Sequence, residues 1–345
     1  MIVDDSMVAR AVLSRMVESD GAFEIAAVAG SAEDAVDALQ HVRVDIILLD
    51  LEMPGAGGLQ ALPRIIEAAR GARVMIVSSL AEDGAEETIK ALAMGAADTL
   101  PKPGTGRFNG RFSEILIGRL RALGHVEHVG PRIPEPLRQR LESPLRAMSP
   151  DPIELLAIGA STGGIHALGC LFQALPARIG VPILVTQHLP TPFMAVFARQ
   201  LGVAAKREAL VAEDGMALLA DRIVVAPGDA HLTVELTHGQ LVARLERKRS
   251  ASGCLPSVDP MFASAAAALG SAVMGVVLTG MGRDGVEGAT RVVACGGSVM
   301  AQDEASCAVY GMPRAVAEAG LLCAVMPPDK LARRIASRTG DASWR

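Results

Sequence analysis

The chain has 345 residues, half of them hydrophobic, and a net charge of −5. The length is typical of two domains, and the negative charge disfavours nucleic acid as a partner, because phosphate binding requires a basic surface. Five cysteines without a CxxC pair favour free thiols. Since no signal peptide or membrane-spanning apolar run is visible, we expect a cytoplasmic monomer without direct membrane insertion.

Short aliphatic runs alternate with amphipathic segments in the first third of the chain. Predicted strands cover Ile2–Val3, Phe23–Val28, Val44–Leu49, Ala72–Val77 and Ala97–Leu100. Predicted helices cover Ser6–Glu18, Ala32–Gln40, Leu59–Ala69, Gly84–Met94 and Arg111–Leu123. Strict alternation with short connections predicts a parallel, doubly wound α/β sheet. Only Met1, Ile2 and Val3 precede the acidic pair, so we expect a truncated or misassigned start, and a shortened central strand would destabilise this domain.

A proline-rich segment interrupts this alternation and predicts a linker over 124–151. His125 and His128 have the spacing of metal ligands, but no further ligand is near them, so a solvated linker is favoured. We therefore expect one domain over 1–123 and a second over 152–345.

The second domain returns to α/β alternation after Pro152. Predicted strands cover Ile153–Gly159, Val181–Gln187, Arg222–Ala226, Val273–Thr279 and a shorter run at Ser298–Ala301. Helices are predicted after Gly164, Thr191, Pro260, Gly285 and Gly311. Leu232–Glu235 and Leu241–Leu245 predict an antiparallel hairpin. The second domain is therefore expected to be a mostly parallel, doubly wound sheet with one hairpin.

Charged and polar residues stand at the ends of several predicted strands of the first domain. They are Asp4, Asp5, Asp50, Ser78 and Lys102. Because ligands bind at the carboxyl ends of strands in doubly wound sheets, these side chains should share one pocket. Crowded carboxylates favour a hard divalent cation such as Mg²⁺, which assists phosphoryl transfer to a carboxylate. The alternative is that each aspartate is only a turn residue or a helix cap.

These residues resemble the receiver domain of bacterial response regulators over roughly the first 120 residues. The motifs are Val3-Asp4-Asp5-Ser6, Leu49-Asp50-Leu51-Glu52-Met53-Pro54-Gly55, Val77-Ser78-Ser79 and Lys102-Pro103. The resemblance implies a flavodoxin-like fold with Asp50 as the phospho-acceptor. It also implies that Asp4, Asp5, Asp50 and the Glu52 carbonyl hold Mg²⁺. Ser78 and Lys102 would sense the phosphoryl group.

The run Gly159-Ala160-Ser161-Thr162-Gly163 begins at the end of a predicted buried strand and precedes a helix. It satisfies the G-x-S-x-G pattern, which exposes a serine hydroxyl on a tight turn at a helix N-terminus. A serine that only caps the helix is the alternative. His188 and Asp284 also follow predicted parallel strands, so nucleophile, base and orienting carboxylate are predicted at one sheet edge.

Other residues compete for these roles. His166 lies close to Ser161 in sequence but is expected to point away, and His231 and His238 flank the hairpin and are expected to be structural. Asp259 and Asp303 are alternative carboxylates, and Asp284 could be only a helix N-cap. The order serine, histidine, aspartate differs from that of the α/β-hydrolases.

The second domain resembles the catalytic domain of the protein-glutamate methylesterase of bacterial chemotaxis, from about residue 152 to about 335. The motifs are Ile158-Gly159-Ala160-Ser161-Thr162-Gly163-Gly164, Gln187-His188-Leu189-Pro190, Ala226-Pro227-Gly228, Pro256-Ser257-Val258-Asp259, Leu278-Thr279-Gly280-Met281-Gly282-Arg283-Asp284-Gly285, Ala301-Gln302-Asp303-Glu304 and Tyr310-Gly311-Met312-Pro313. The resemblance implies a triad of Ser161, His188 and Asp284, with the Met281 amide holding the oxyanion and no cofactor in this domain.

The resemblance implies hydrolysis of glutamyl γ-methyl esters on methyl-accepting chemotaxis receptors, with release of methanol. A chemotaxis histidine kinase would be the phosphodonor, and phosphorylation of Asp50 would free a cleft that the receiver covers. Receptor glutamine deamidation uses the same triad and stays open. A catalytically inactive adaptor is the rival from another class. The basic run Arg244, Arg247, Lys248 and Arg249 favours a solvated face over a receptor contact.

Overall fold

A computed structural model describes residues 1–55, 57–78, 82–102, 110–124 and 144–339, without the side chains of residues 78, 82 and 83. The chain divides into two compact units, whose boundary falls between residues 124 and 144. Most of the predicted linker over 124–151, with His125 and His128, lies outside the described residues. At its end, Arg146 N donates to Leu322 O, and Ser149 N donates to Ser298 Oγ.

The first unit is built on a parallel sheet with the strand order β2-β1-β3-β4-β5. The strands are β1 Ile2–Val3, β2 Val28–Ala29, β3 Ile46–Leu49, β4 Arg73–Ser78 and β5 Asp98–Pro101. The predicted strand Phe23–Val28 is wrong in extent. Because β1 has only two residues, it provides partners for Val28 and Ala29 alone. The chain winds to both sides of β1, so β1 and β3 flank the point where the strand order reverses.

Helices on the first unit match the predicted segments to within two residues at each end. They are α1 Met7–Glu18, α2 Ala32–His41, α3 Gly57–Ala68, α4 Glu82–Ala93 and α5 Gly110–Leu123. Helix α1 begins at Met7 rather than Ser6, because the Ser6 hydroxyl accepts a hydrogen bond from Ala9 N and acts as the N-cap. The cap fixes the turn that carries Asp4 and Asp5 into the helix.

The second unit contains a parallel sheet with the order β14-β13-β12-β6-β7-β9-β8 among the described residues. The strands are β6 Leu155–Ala160, β7 Ile183–Gln187, β8 Ala209–Val211, β9 Ile223–Val225, β12 Val273–Val277, β13 Ser298–Gln302 and β14 Ala324–Met326. The chain builds the sheet outward from β6 in both directions. Strand β6 therefore stands at the topological switch point, where ligands bind in open α/β sheets.

The predicted hairpin is confirmed as an antiparallel pair, β10 His231–Thr237 and β11 Gln240–Glu246. The helices of this unit are α6 Gly164–Ala174, α7 Thr191–Ala205, α8 Val258–Leu269, α9 Val286–Ala294, α10 Met312–Glu318 and α11 Pro328–Ala336. Helix α8 begins at Val258, before the predicted start after Pro260. Proline is tolerated in the first turn because the backbone N–H groups there have no acceptor within the helix, so no hydrogen bond is lost.

Helix α8 packs against β6 with almost no space between them. A Cβ atom at Gly159 would lie 2.5 Å from Val258 Cγ1, so only glycine fits beside the start of the helix. Val258, Met261 and Phe262 are fully buried on this face. The contact brings the N-terminus of α8 close to the strand end that carries Ser161.

The described helices include none that is both long and apolar enough to cross a bilayer. The fold class predicted from the sequence, two α/β units with parallel sheets and one antiparallel hairpin, is confirmed.

Candidate active site

The acidic residues of the first unit meet at the carboxyl edge of its sheet. Asp4 follows β1 and Asp50 follows β3, and the backbone N–H of Asp50 donates to Val3 O at 2.9 Å. Carboxylate oxygens of Asp4, Asp5 and Asp50 lie within 4.8 Å of one another. Asp4 and Asp50 are buried, whereas Asp5 is exposed. The predicted convergence of these three carboxylates is observed.

Lys102 partly neutralises this cluster. Its Nζ lies 2.7 Å from Asp50 Oδ2 and 2.9 Å from Asp4 Oδ2. The second oxygen of Asp50 accepts a hydrogen bond from Glu52 N at 3.1 Å. Burial raises the pKa of Asp50 against the opposing influence of Lys102. Burial lowers the pKa of Lys102, but its hydrogen bonds to Asp50 and Asp4 outweigh that effect and raise it.

The other two predicted members of this pocket are only partly described. Ser78 is the last residue of β4, and it is in register with Pro101, directly before Lys102. Its side chain lies outside the description, as do the motif residues Ser79 and Pro103. Glu52 follows Asp50 by two positions and is exposed. Three carboxylates facing one ammonium leave a net negative, all-oxygen pocket that suits Mg²⁺.

Ser161 occupies a tight turn between β6 and α6. Its N–H donates to Thr279 O at 3.0 Å, and its carbonyl accepts from Gly164 N at 2.7 Å. Gly163, at the N-cap of α6, has φ of +77°, a left-handed conformation that favours glycine. A Cβ atom at Gly280 would lie 2.7 Å from the Cβ atom of Ser161. Small residues therefore allow backbone from three segments to close around this serine.

His188 follows the neighbouring strand β7 and stands beside the Ser161 turn. Its backbone N–H donates to Ala160 O at 3.2 Å. Its Nε2 lies 2.8 Å from Asp284 Oδ2, which leaves Nδ1 as the nitrogen that does not face this carboxylate. Burial lowers the pKa of His188, but the hydrogen bonds and charges of Asp284 and Cys254 outweigh it and raise the pKa to about 9.

Asp284 is buried and accepts hydrogen bonds on both oxygens. Ser257 Oγ donates to Oδ1 at 2.6 Å, and Val258 N donates to Oδ2 at 2.7 Å. Val258 opens helix α8, whose dipole favours negative charge at this end. Burial raises the pKa of Asp284, but the donors from His188, Ser257 and Val258 hold it well below its usual range. The carboxylate is thus fixed in its ionised form.

Ser257 and His231 form a supporting layer that the sequence reasoning did not assign to the site. His231 Nδ1 accepts a hydrogen bond from Ser257 N at 3.0 Å, and its Nε2 lies 2.6 Å from Lys248 O. This pattern requires a neutral ring with its proton on Nε2. Ser257 belongs to the motif Pro256-Ser257-Val258-Asp259, but no spacing rule connects it to Asp284.

The competing residues have other surroundings. His166 Nε2 lies 3.6 Å from Cys170 Sγ, and His238 sits in the hairpin turn with φ of +50°. Asp303 precedes a short 3₁₀ helix, Glu304–Ser306, and accepts a hydrogen bond from Ser306 Oγ. Gly285, not Asp284, is the N-cap of α9, so the capping alternative for Asp284 is wrong.

Asp259 is a second buried carboxyl next to this group. Its Oδ1 accepts a hydrogen bond from Gly288 N at 2.8 Å. Burial, assisted by the charge of Asp284 and opposed by this hydrogen bond, raises the pKa of Asp259 to about 7. The pKa values of these two neighbouring carboxyls are thus shifted in opposite directions, and Asp284 is the one that carries the negative charge.

Met281 follows Gly280, the glycine that contacts Ser161. The flanking loop is held by hydrogen bonds from Gly311 N and Met312 N to Gly280 O, at 3.1 and 2.8 Å. The Met281 amide donates no hydrogen bond to any described residue. It is thus available near Ser161, where a donor to an oxyanion is needed.

Two of the four residues of the basic run, Arg244 and Arg247, form ion pairs with described residues of the same unit. Arg244 Nε lies 2.5 Å from Glu235 Oε2, and Arg244 Nη1 lies 3.5 Å from Asp214 Oδ2. Arg247 Nη2 lies 3.3 Å from Asp229 Oδ2. These exposed ion pairs match the solvated charged face predicted from the sequence.

Two family models match the chain, one on each unit. Residues 1–107 match the response regulator receiver domain, and residues 156–335 match the CheB methylesterase. The catalytic-domain crystal structure of a CheB methylesterase from Thermotoga maritima aligns with a TM-score of 0.52 and 34% identity. It covers 54% of this chain and 98% of that chain.

Curated relatives extend the similarity over nearly the whole chain. A Paramagnetospirillum magneticum protein named protein-glutamate methylesterase/protein-glutamine glutaminase 1 is 38% identical, over 96% of this chain and 93% of the relative. A Caulobacter vibrioides protein of the same name, numbered 2, is 41% identical over 98% of both chains. The chain therefore belongs to the CheB methylesterase family and carries a response regulator receiver domain ahead of its methylesterase domain.

Proposed function

We propose that the chain hydrolyses glutamyl γ-methyl esters on methyl-accepting chemotaxis receptors, using Ser161, His188 and Asp284. The observation that carries this proposal is the hydrogen bond of 2.8 Å between His188 and the buried Asp284, beside the strand end that presents Ser161. A nucleophile needs an adjacent base, and the base needs a group that orients it. An adaptor would have no need of this arrangement.

The first step transfers the Ser161 proton to the unprotonated nitrogen of His188 while Ser161 Oγ attacks the ester carbonyl. Asp284 faces Nε2, so Nδ1 is the nitrogen assigned to Ser161. Asp284 then stabilises the imidazolium that forms. The tetrahedral oxyanion receives hydrogen bonds from the Met281 amide and the start of α6, each donor contributing about 3 kcal/mol.

The second step hydrolyses the acyl-enzyme. The His188 imidazolium gives its proton to the departing methoxide, and methanol leaves. Water, deprotonated by the same histidine, attacks the acyl group and frees the glutamate and Ser161. No cofactor takes part in this scheme.

Glutamine deamidation is a second candidate activity. The curated relatives carry glutaminase in their printed names. The same residues serve this reaction, because an amide carbonyl also passes through a tetrahedral oxyanion. Ammonia leaves in place of methanol, after protonation by His188.

We also propose that the receiver controls this activity through phosphorylation of Asp50 by a chemotaxis histidine kinase. The buried Asp50 and its ion pair with Lys102 support the assignment. Asp4, Asp5, Asp50 and the Glu52 carbonyl would hold Mg²⁺, which neutralises charge on the transferred phosphoryl group when bound. Lys102, with Ser78, would then contact the phosphoryl oxygens. The proposed boundaries are 1–123 for the receiver, 124–151 for the linker and 152–345 for the catalytic domain.

The proposal is tested by release of labelled methanol from methylated receptor membranes. Wild type should release methanol, and Ser161→Ala should release none above the rate without enzyme. Membranes from cells that lack the receptor methyltransferase serve as the substrate control. Ammonia release from receptors with glutamine at the methylation positions tests the second activity. If wild type releases no methanol, with or without a small phosphodonor, the esterase assignment fails.

A further inference from the structure

Cys254 places a thiol beside the His188–Asp284 pair, and the proposed reaction does not use it. One ligand atom from each of Cys254, His188 and Asp284 lies within 4.8 Å of the other two. Cys254 and His188 are partly exposed, and Asp284 is buried. An ion from solvent can therefore reach the two partly exposed donors, while the buried Asp284 closes the inner side of the group.

The chemistry of the donors selects a particular class of ion. An imidazole nitrogen, a thiolate and a carboxylate form a borderline-soft set that suits Zn²⁺ or Co²⁺ rather than Mg²⁺. The other three-residue group among the described residues, Asp4, Asp5 and Asp50, offers only oxygen. The two units thus present different donor sets, and each should prefer a different ion.

The spacing of the donors is close to what a tetrahedral ion requires. Zn²⁺ bonds of about 2.0–2.3 Å place neighbouring donor atoms about 3.3–3.8 Å apart. The His188–Asp284 separation of 2.8 Å is slightly shorter than this, and 4.8 Å bounds the other two separations. Shifts within side-chain rotation would close the site. Ser257 and Val258 already bond Asp284, as outer partners of a metal ligand do.

We propose that Cys254, His188 and Asp284 form a Zn²⁺ site whose occupation switches off hydrolysis. A neutral imidazole has one lone pair. When Zn²⁺ binds either ring nitrogen, the other nitrogen carries the proton, so His188 can no longer accept the proton of Ser161. Three protein ligands leave a fourth position for water or for Ser161 Oγ. The inhibitory readout rests on the proposed function, whereas the binding readout is independent of it.

Binding is measured first, with Co²⁺ as a spectroscopic probe of the full-length protein in excess Mg²⁺. A thiolate ligand gives bound Co²⁺ an intense near-ultraviolet charge-transfer band. One Zn²⁺ ion per chain should displace the Co²⁺ and remove this band. Cys254→Ser should lose the band. Cys170→Ser is the matched control, because Cys170 also lies beside a histidine but has no third ligand in the described structure. A band that persists in Cys254→Ser, or that disappears in Cys170→Ser, overturns the site.

Inhibition is then measured on metal-free protein by methanol release, each variant relative to its own rate without Zn²⁺. Wild type and Cys170→Ser should be inhibited alike and should recover with a chelator. Cys254→Ser should require at least about tenfold more Zn²⁺, since even outer partners of metal ligands change affinity by about 10–100-fold. Equal sensitivity of Cys254→Ser overturns the proposal. An inactive metal-free wild type would instead contradict the proposed function, whatever Co²⁺ binding shows.

Discussion

Both units place carboxylates at the carboxyl edge of a parallel sheet, beside the point where the strand order reverses, but they treat the negative charge in opposite ways. Burial raises the pKa of Asp50, whose neighbour Asp4 is also acidic and whose main counter-charge is Lys102. The pKa of Asp284 is held well below its usual range by three donors. Position at a strand end therefore does not determine what a carboxylate does.

The donors around each carboxylate explain the difference. Asp284 accepts hydrogen bonds from a hydroxyl, a helix N-terminus and an imidazole, so it is held in its ionised form and orients His188. Asp50 shares one ammonium with Asp4 and retains excess negative charge in its pocket. That environment suits a cation and an incoming phosphoryl group.

Replacing the fixed carboxylate should have the largest effect. Asp284→Asn keeps the shape of the side chain but allows the wrong histidine tautomer, and the kcat for methanol release is expected to fall about 10⁴-fold. Asp303→Asn is the matched control, because Asp303 also follows a parallel strand but contacts Ser306 instead of a histidine. Equal loss of activity in both variants, or an active Asp284→Asn, would contradict the distinct role of Asp284.

The pH dependence of the esterase should show how strongly Asp284 acts on His188. A base with a pKa of about 9 is mostly protonated at neutral pH and becomes competent as pH rises. The kcat/KM should therefore increase roughly 50-fold between pH 7 and pH 9, as the neutral fraction grows. Enzyme held at each pH and assayed at a common pH controls for inactivation. A profile that is already flat at pH 7 would show that the pair does not raise the histidine pKa.

Removing one donor from Asp284 should have an intermediate effect. Ser257→Ala is expected to lower kcat about 10-fold with KM unchanged, since hydrogen bonds to charged groups contribute about 1.5–3 kcal/mol. Ser264→Ala is the control, because Ser264 lies in helix α8, which Ser257 precedes, and its hydroxyl accepts from Val234 N and donates to Pro260 O but does not contact Asp284. A parallel change in KM, or equal losses in both variants, would assign Ser257 to folding alone.

The packing around Ser161 should affect stability rather than the chemistry of the site. Gly280→Ala would place a Cβ atom 2.4 Å from Met312 Sδ and 2.7 Å from the Cβ atom of Ser161. We expect this overpacking to lower the free energy of unfolding by about 1–3 kcal/mol. Gly169→Ala, which meets no atom within 4 Å, should not destabilise the protein. The thermal unfolding transition of each variant tests this, and equal stability of the two would refute the close packing.

Much of the fold was predictable because hydrophobic runs mark buried strands. The strands that directly precede Asp50 and His188 were predicted to within two residues at each end. The short edge strands Ala209–Val211 and Ala324–Met326 and the helix Pro328–Ala336 were missed. Three-residue strands carry too little alternation to stand out from loops. The limits of the Val28–Ala29 strand depend on the length of its partner strand Ile2–Val3. The residues around Val28 carry no information about that length.

The strand-end residues of both sites were also predictable, whereas their supporting residues were not. Ser257 and Cys254 lie on the segment before helix α8, far in sequence from His188. Their proximity depends on the packing of that helix against Gly159, which is a tertiary contact. The hydrogen bonds that separate the behaviour of Asp284 from that of Asp50 likewise come from distant segments.

The most direct test of the account is methanol release from methylated receptor membranes with and without a small phosphodonor, for wild type, Asp50→Asn and Asp284→Asn. The account predicts that the phosphodonor raises the wild-type rate, that Asp50→Asn loses this response, and that Asp284→Asn stays near the uncatalysed rate under both conditions. A phosphodonor response in Asp50→Asn equal to that of wild type would contradict it.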